Sequence, residues 1–403
     1  MKPKRSPRII FLFLLIFSAV SLHSQETRTD LREAYRIRYA HLLKPPEARL
    51  RVLFTGDIMG HDTQIASALA TGNPGYDYHP CFQYLKPWFR EADLLIGNLE
   101  VTLAGPPYKG YPQFSSPDEL ADALKEAGFD ILVMANNHAL DRGQEGLNRT
   151  LEQLDRRGLL HTGTFAEPAE RQQNYPLVVE KNGIRVALLN YTYGTNGLKV
   201  PPPAIINRID TLQIREDMEK AATARPDFIL VIMHWGEEYQ RTENSLQREL
   251  AAFLFRNGAD AIIGSHPHVI QPIRGAERGN LVAYSMGNFI SNQRDRYRDG
   301  GIVFQLDLLK TPEGGSIEGH AYLPFWVWKP MTRQGNLFTV VPANADPSEL
   351  YQYTLDHVSP EIPPMSGDDR FKMLQFLQDT RENLYRQPEV QPVWLEPSIS
   401  SQK

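Results

Sequence analysis

The chain has 403 residues, of which 41% are hydrophobic and 23% charged, a composition typical of a globular protein with room for one large core or two domains. The formal net charge of −5 argues against a nucleic-acid binder that depends on bulk electrostatics. The single cysteine, Cys81, excludes an internal disulfide framework and a Cys-rich zinc site. Any metal site must therefore use His, Asp, Glu and Asn, which suit Mn, Fe or Zn.

The N-terminus has the pattern of an export signal. Four basic residues lie within the first eight positions and precede the apolar stretch 9–20, which is short for a transmembrane span. We predict a signal peptide over 1–24, with cleavage after Ser21 or Ser24; the alternative is an uncleaved N-terminal membrane anchor. Both alternatives predict an exported protein of the periplasm or cell envelope. The polar stretch 25–48 is predicted to be a linker.

Short apolar strands alternate with helical segments from residue 49 onwards. The predicted strands are 50–57, 93–100, 130–135, 175–181, 184–191, 227–233, 260–263, 281–285, 301–309 and 320–328. The predicted helices are 117–128, 144–157, 212–224 and 246–257, with Ser116 as the N-cap of the first. This order predicts an α/β fold with a mostly parallel sheet and antiparallel additions. We assign 49–330 to one domain and 331–403 to a peripheral C-terminal extension with one helix.

Residues that can bind metals follow the ends of five predicted strands. They are Asp57, Glu100, Asn137 with His138, His234, and His266 with His268. Considered alone, an aspartate at a strand end could be an N-cap, and a histidine there could be a structural residue. Because the carboxyl ends of parallel strands meet at one edge of a sheet, however, we expect these side chains to lie together. An O/N set of six or seven ligands, with one carboxylate placed to bridge, is the expected composition of a two-metal hydrolytic site.

Six sequence blocks resemble the CapA family, which is linked to capsule and poly-γ-glutamate synthesis and belongs to the calcineurin-like metallophosphatase superfamily. The blocks are Gly56-Asp57, Gly97-Asn98-Leu99-Glu100, Asn136-Asn137-His138, Met233-His234-Trp235-Gly236, Gly264-Ser265-His266-Pro267-His268 and Ser285-Met286-Gly287-Asn288-Phe289. The resemblance covers about residues 50–310. It implies a four-layered α/β/β/α metallophosphatase-like sandwich with mixed sheets.

The resemblance also implies a role for each residue of the set. Two divalent ions are expected, and the implied metal ligands are Asp57, Glu100 (bridging), Asn137, His234, His266 and His268. His138 is the implied catalytic residue, acting on the leaving group as a general acid. One position departs from the superfamily pattern, because Met59 stands where a histidine is expected. His61 either substitutes for that histidine or is a solvated loop residue.

Four residues are predicted substrate contacts: His61, Arg142, Arg294 and Arg296. Arginines suit phosphate or carboxylate groups because a guanidinium can bind them with two hydrogen bonds. The alternative for the last two is a solvated charged loop, since they alternate with acidic residues.

The predicted function is an exported metal-dependent phosphoesterase-like hydrolase involved in capsule or poly-γ-glutamate biosynthesis. The alternative is a non-catalytic or weakly catalytic component of polymer export or assembly that binds an anionic polymer. The sequence does not distinguish the predicted phosphoesterase from an amide hydrolase that uses the same metals. The expected partners are an anionic polymer or a phosphorylated envelope substrate, and no nucleic acid; a polymer-synthetase membrane complex is a further candidate.

Overall fold

A computed structural model describes residues 47–69, 75–275, 279–333, 335–359 and 361–394. The predicted signal peptide and nearly all of the predicted linker lie outside these residues. Among the described helices, none combines the length and the apolar composition that a membrane crossing needs. Most of the described residues belong to one compact unit, made of Ala48–Lys310 and Gly314–Lys403.

The strands of the described residues are numbered in chain order. They are β1 (Ala48–Ile58), β2 (Leu94–Leu99), β3 (Ile131–Val133), β4 (Leu160–Thr162), β5 (Thr164–Phe165), β6 (Leu177–Lys181), β7 (Ile184–Thr192), β8 (Ile205–Ile206), β9 (Phe228–His234), β10 (Ala261–Ser265), β11 (Ile273–Gly275), β12 (Leu281–Ala283), β13 (Asn288–Ile290), β14 (Gly300–Thr311), β15 (Gly314–Trp328), β16 (Met331–Thr332), β17 (Gly335–Asn336) and β18 (Thr339–Pro342).

The helices are numbered in the same way. They are α1 (Asp62–Leu69), α2 (Lys86–Phe89), α3 (Glu119–Ala127), α4 (Gly143–Arg156), α5 (Pro168–Asn174), α6 (Thr211–Thr223), α7 (Ser245–Arg256), α8 (Pro347–Tyr353) and α9 (Gly367–Asn383). A short 3₁₀ helix covers His79–Cys81, and a π-helical turn covers Thr354–Val358.

Two large mixed sheets organise the structure. Sheet one has the order β18-β15-β14-β1-β2-β3-β4, and β13 also pairs with β1. Its strands β1 to β4 are parallel, whereas β14 runs antiparallel to β1. Sheet two has the order β11-β12-β10-β9-β7-β6, with four parallel strands in the middle and an antiparallel strand at each edge.

The side chains of each strand alternate between a central core and an outer layer. In β1, Val52 belongs to the core shared by the two sheets, and Leu53 to the core under α3 and α4. In β9, Ile232 lies in the shared core, and Val231 packs with residues of α6 and α7. The order of layers is therefore helix, sheet, sheet, helix, which confirms the predicted α/β/β/α sandwich.

A repeated pair of hydrogen bonds fixes the parallel strands at their amino ends. An aspartate directly before β2, β3, β9 and β10 accepts a hydrogen bond from a backbone N–H of the neighbouring strand. The pairs are Asp93 with Arg51 (2.8 Å), Asp130 with Leu95 (2.9 Å), Asp227 with Arg185 (2.8 Å) and Asp260 with Ile229 (2.7 Å). The backbone N–H of each aspartate donates in return to the carbonyl of the same partner. Each strand thus begins at a defined level relative to its neighbour.

Two predictions on segment roles are corrected by the packing. The segment after residue 330 is not peripheral, because β18 pairs with β15 and Phe376 of α9 is buried in the core shared by the sheets. It also has two helices, α8 and α9, where one was predicted. Ser116 is not an N-cap: Asp118 precedes α3, and Ser116 is buried with its hydroxyl unpaired. For the segment after residue 330, the Pro-rich composition indicated irregular backbone but did not show whether the segment is buried.

Candidate metal centre

The six predicted metal ligands converge where the carboxyl edges of the two sheets meet. Sheet one contributes Asp57 within β1, Glu100 after β2 and Asn137 after β3. Sheet two contributes His234 at the end of β9, and His266 and His268 after β10. All six side chains are buried. The parallel order β1-β2-β3 and the parallel pair β9-β10 bring these strand ends together, as the strand-end argument predicts.

Asp57 is held by donors from both sheets. Its Oδ2 lies 3.0 Å from His268 Nδ1 and accepts the backbone N–H of His266 at 3.3 Å. Its Oδ1 accepts from Asn98 Nδ2 at 2.7 Å. Burial opposes ionisation of Asp57, but the hydrogen bond and charge of His268 outweigh it and lower the pKa of the carboxyl. Asp57 is therefore an anion fixed in position.

Glu100 lies between the two histidine groups and has no compensating donor. Its Oε1 is 3.5 Å from His234 Nε2 and 3.8 Å from His268 Nε2. Neither carboxylate oxygen accepts a hydrogen bond from the described residues, although the side chain is fully buried. Burial, and then the charge of Asp57, raise the pKa of Glu100 well above its usual value. An unpaired buried carboxylate is costly, and a bound cation would remove that cost.

Two of the histidines of sheet two, His234 and His266, are kept neutral, which is the form that binds metals. His234 Nε2 is 2.9 Å from Asn137 Oδ1, and His234 Nδ1 is 3.1 Å from Ser265 Oγ. Burial, followed by the charge of His266, lowers the pKa of His234 well below its usual value. Burial, then His268, lowers the pKa of His266 to about 3, and His266 Nδ1 has no hydrogen-bond partner. The donor chemistry and the unpaired atoms fit divalent cations.

Within the described residues, three groups of donors could hold an ion, and Glu100 belongs to two of them. The groups are Glu100 with His234 and His266, Asp57 with Glu100 and His268, and Glu238 with His266 and His268. In each group the ligand atoms lie within 4.8 Å of one another. The shared position of Glu100 is the geometry that a bridging carboxylate requires.

The two histidines after β10 occupy unusual backbone conformations. His266 has φ of +98° and His268 has φ of +57°, in a region that non-glycine residues rarely adopt. Gly264, two residues before His266, allows the backbone of Tyr284 to lie close to β10. A Cβ at position 264 would be 1.9 Å from the carbonyl oxygen of Tyr284. Backbone strain of this kind persists only where the surrounding contacts fix it, and here it sets the directions of both rings.

His138 lies beside the ligand group and is oriented by a carboxylate. Its Nδ1 is 2.7 Å from Asp141 Oδ2, and that oxygen also accepts the backbone N–H of Phe114 at 2.8 Å. The Phe114 ring packs edge-on against the imidazole with centroids 4.7 Å apart. Because an ionised carboxylate only accepts hydrogen bonds, Nδ1 carries a proton, and Nε2 remains for another partner.

The comparison with known proteins agrees with the sequence blocks. The family described as "Bacterial capsule synthesis protein PGA_cap" matches residues 51–293, which hold all six predicted ligands and His138. The chain belongs to this family. The resemblance stated from the sequence is therefore confirmed at the family level.

The matches to two curated relatives cover most of the length of each relative. The PGA biosynthesis protein CapA of Bacillus subtilis (strain 168) is 33% identical over 278 residues, covering 66% of this chain and 69% of that protein. The capsule biosynthesis protein CapA of Bacillus anthracis is 29% identical over 318 residues, covering 74% of this chain and 72% of that protein.

Solved structures give weaker matches. The NAD nucleotidase NadN of Haemophilus influenzae matches with a TM-score of 0.46 and 14% identity, over 87% of this chain and 65% of that chain. The calcineurin-like phosphoesterase YfkN of Bacillus subtilis matches with a TM-score of 0.42 and 14% identity, over 84% of this chain and 99% of that chain. Both TM-scores are below 0.5, so these two structures give no information on the chemistry of the centre.

The predicted substrate arginines have partners elsewhere in the fold. Arg294 donates to the carbonyl oxygen of Val327 at 2.6 Å, and Arg296 forms a two-bond ion pair with Asp379 at 2.8 and 2.9 Å. Arg142 donates to the carbonyl oxygen of Pro107. Each guanidinium thus has a partner within the fold, and the assignment of these three arginines to substrate binding stays a prediction.

The positions around the missing histidine have different environments. Met59 is 2% exposed and lies in the core under sheet one, so its side chain does not reach the ligand group. His61 is half-buried, and its Nδ1 contacts Gln64 Oε1 at 3.0 Å and the backbone nitrogen of Asn292 at 3.2 Å. Burial lowers the pKa of His61, the hydrogen bond with Gln64 opposes this, and the charge of His268 adds to the lowering. His61 thus lines the rim but is not part of any of the three donor groups.

Three residues of the site were missed by sequence reasoning. Asn98 orients Asp57, the Tyr193 ring packs against His266 in a tilted arrangement with ring centroids 4.5 Å apart, and Glu238 faces His266 and His268. The only signal for Asn98 was its place in the Gly-Asn-Leu-Glu block. Glu238 follows a strand-end histidine by four residues, and only the folded loop shows that it returns to the centre.

Proposed function

We propose that this protein is an exported metal-dependent hydrolase of the phosphoesterase type that acts in capsule or poly-γ-glutamate biosynthesis. The observation that carries the proposal is Glu100: a fully buried carboxylate without hydrogen bonds, shared by two groups of histidine and carboxylate donors. Two divalent ions bound there would supply Lewis acidity for a phosphoryl group and an activated water. Asp57, Asn137, His234, His266 and His268 would complete the ligand set.

The chain's own residues account for binding and proton transfer. Asn at 137, rather than Asp, keeps the net charge of the cage less negative, which favours an anionic substrate. The Asp141 carboxylate accepts the hydrogen bond of Nδ1–H of His138 and so leaves Nε2 for the substrate. In the imidazolium form Nε2 carries the second ring proton, and transfer of that proton to the leaving oxygen returns the ring to the neutral form with its proton on Nδ1. Tyr193 is 42% exposed beside His266 and forms part of the wall that a substrate contacts.

Export and partners belong to the same proposal. A basic segment followed by an apolar stretch begins the chain, and the relatives in Bacillus are named for poly-γ-glutamate and capsule biosynthesis. We infer an anionic polymer or a phosphorylated envelope precursor as substrate, and a polymer-synthetase membrane complex as a candidate partner. Fractionation of cells that express the tagged chain tests export; a chain that stays in the cytoplasm contradicts this part.

The enzymatic proposal is tested by metal analysis and by His138→Ala. Purified protein is expected to hold divalent metal and to cleave a generic phosphodiester. His138→Ala is expected to lower kcat by about 10² to 10⁴ while metal content stays unchanged, because the histidine transfers a proton and is not a ligand. His79→Ala is the matched control, since His79 pairs with Asp77 and Glu126. Wild-type protein that is metal-free and inactive with a range of divalent ions would contradict the proposal.

A second candidate is a weakly catalytic or non-catalytic component of polymer assembly. The observation that favours it is Met59, whose burial leaves the group around His268 with one donor fewer than the group around His234 and Asn137. Polymer output separates the two functions. If Glu100→Ala and His138→Ala leave output intact while loss of the whole protein abolishes it, the second candidate is correct. Assaying a γ-glutamyl amide beside the phosphodiester distinguishes amide from ester hydrolysis.

A further inference from the structure

Glu238 lies outside the ligand set predicted from the sequence, yet one of its carboxylate oxygens faces the centre. Its ligand atom and those of His266 and His268 all lie within 4.8 Å of one another. Unlike those of the two histidines, its side chain is exposed to solvent. Glu238 thus approaches the histidine pair from the open side, whereas Glu100 approaches the centre from the buried interior.

The loop after β9 holds Glu238 in this place. The backbone N–H of Tyr239 donates at 2.7 Å to the carbonyl oxygen of Pro267, the residue between the two histidines. The buried side chain of Gln271 donates to the carbonyl oxygens of Gln240 and Thr242 at 2.9 and 3.1 Å. Because the loop is fixed to the same backbone that carries the histidines, the position of Glu238 relative to them is defined.

The Arg298 guanidinium gives the loop a further contact, lying 3.6 Å from the centroid of the Tyr239 ring. No lysine or arginine in the described part of the chain forms an ion pair with Glu238 itself, so its charge is not neutralised by a neighbouring cation. A carboxylate placed beside two imidazoles, without a lysine or arginine partner, is a metal-ligand arrangement.

The donors divide unequally between the two positions. Glu100, His234 and His266, with Asn137 2.9 Å from His234, give four donors on one side. Asp57, Glu100 and His268 give three His, Asp or Glu donors on the other. A divalent ion with four or more ligands therefore needs a further protein donor or solvent at the second position.

We propose that Glu238 is a metal ligand that closes the His268 side of the centre from the solvent face. The inference rests on the proposed metal centre, and it adds a donor from a loop that no sequence block assigned. Because the side chain is exposed, the ligand is also the one that an incoming anionic substrate group can displace. Glu100 then anchors the ions from within, and Glu238 is the exchangeable carboxylate at the mouth.

The test is calorimetric titration of EDTA-stripped protein with Mn²⁺. Wild type is expected to bind two ions, and Glu238→Gln to weaken the binding of one of them by about tenfold to a hundredfold. Glu238→Asp is expected to recover part of that affinity, because it keeps the carboxylate. Glu237→Gln is the matched control, since it removes the neighbouring exposed charge and is expected to leave both affinities unchanged.

The outcomes separate this inference from the function proposed above. Glu238→Gln that binds two ions with wild-type affinity overturns the inference and leaves the proposed function standing. Equal weakening by Glu237→Gln also overturns it, because the effect is then one of general charge. Wild-type protein that binds no ion overturns both. Thermal unfolding of metal-free wild type and Glu238→Gln at the same temperature shows that the variant is folded.

Discussion

Glu100 is the single residue on which the centre depends most. Its two oxygens have neither a hydrogen bond nor a fixed counter-charge, so the apo protein must either protonate it or keep an uncompensated buried anion. In both cases the side chain is costly in the metal-free fold, and in the proposed centre a bound cation would remove that cost. Asp57 differs, because hydrogen bonds from Asn98 and His268 stabilise its anionic form without a metal.

The substitution Glu100→Gln should therefore have opposite effects with and without metal. In EDTA we expect the variant to unfold at the same temperature as wild type or higher, since a neutral amide costs less to bury than a carboxylate. With saturating Mn²⁺ we expect wild type to gain stability through mass action and the variant to gain much less. Differential scanning calorimetry under both conditions measures this. A variant that gains as much as wild type from Mn²⁺ would contradict a ligand role for Glu100.

The residues predicted from the sequence are those that strand ends position directly. The six predicted ligands and His138 lie at strand ends or just after them, and parallel pairing alone brings such residues to one edge. Arg294 and Arg296 were assigned to substrate because residue type shows what a side chain can bind, but not that a carbonyl of β15 and Asp379 of α9 are nearer. Glu238 was missed for the complementary reason: a hydrogen bond to Pro267 returns its loop to the centre.

Among the elements, the parallel strands share one device, the aspartate that precedes them. Asp260 is typical: its Oδ2 accepts the N–H of Ile229, and burial raises its pKa while that N–H lowers it. The sequence pattern of an Asp before three apolar residues was visible at all four positions and marked where the strands start. The hydrogen bond to the neighbouring strand was not visible, because it depends on strand order.

We expect Asp260→Ala to destabilise the fold by about 1–3 kcal/mol, because it leaves the backbone N–H of Ile229 without an acceptor at a half-buried position. Asp260→Asn should cost much less, since its amide oxygen can still accept that hydrogen bond. Urea denaturation of the two variants and wild type measures the difference. Equal losses in both variants would show that the charge, and not the hydrogen bond, is what stabilises this edge.

For the molecule as a whole, the C-terminal helix α9 is part of the sandwich. Met373, Phe376 and Leu377 lie in the core shared by the two sheets. The same helix reaches the loops around the centre, because Asp379 pairs with Arg296 and its carbonyl accepts from Arg241. A sequence rich in proline and charge gave little indication of this, since the few apolar residues of α9 are spaced among exposed ones.

The helix offers a matched pair of phenylalanines with which to test its role. Phe376 is 4% exposed and Phe371 is 65% exposed. We expect Phe376→Ala to destabilise the protein by about 3–5 kcal/mol, through lost burial and the cavity that remains, and Phe371→Ala to have an effect within about 0.5 kcal/mol. Thermal or chemical denaturation compares them. Similar small losses for both would mean that α9 packs only loosely on the sheets.

The aspartates at the amino ends of the strands have a consequence for how such a centre can change. The hydrogen bond between Asp260 and Ile229 lies at the amino end of β10, and His266 and His268 of the proposed metal centre lie beyond its carboxyl end. The strand separates them by a distance on the order of 20 Å, at about 3.3 Å per residue. At that separation, substitutions at the two ends contribute independently to stability. The metal donors at the carboxyl ends of the strands can therefore differ without affecting strand pairing. Here Met59 stands where a histidine is expected, and the loop residue Glu238 lies beside His266 and His268. The registration of the sheet is set at the other end, by the aspartates.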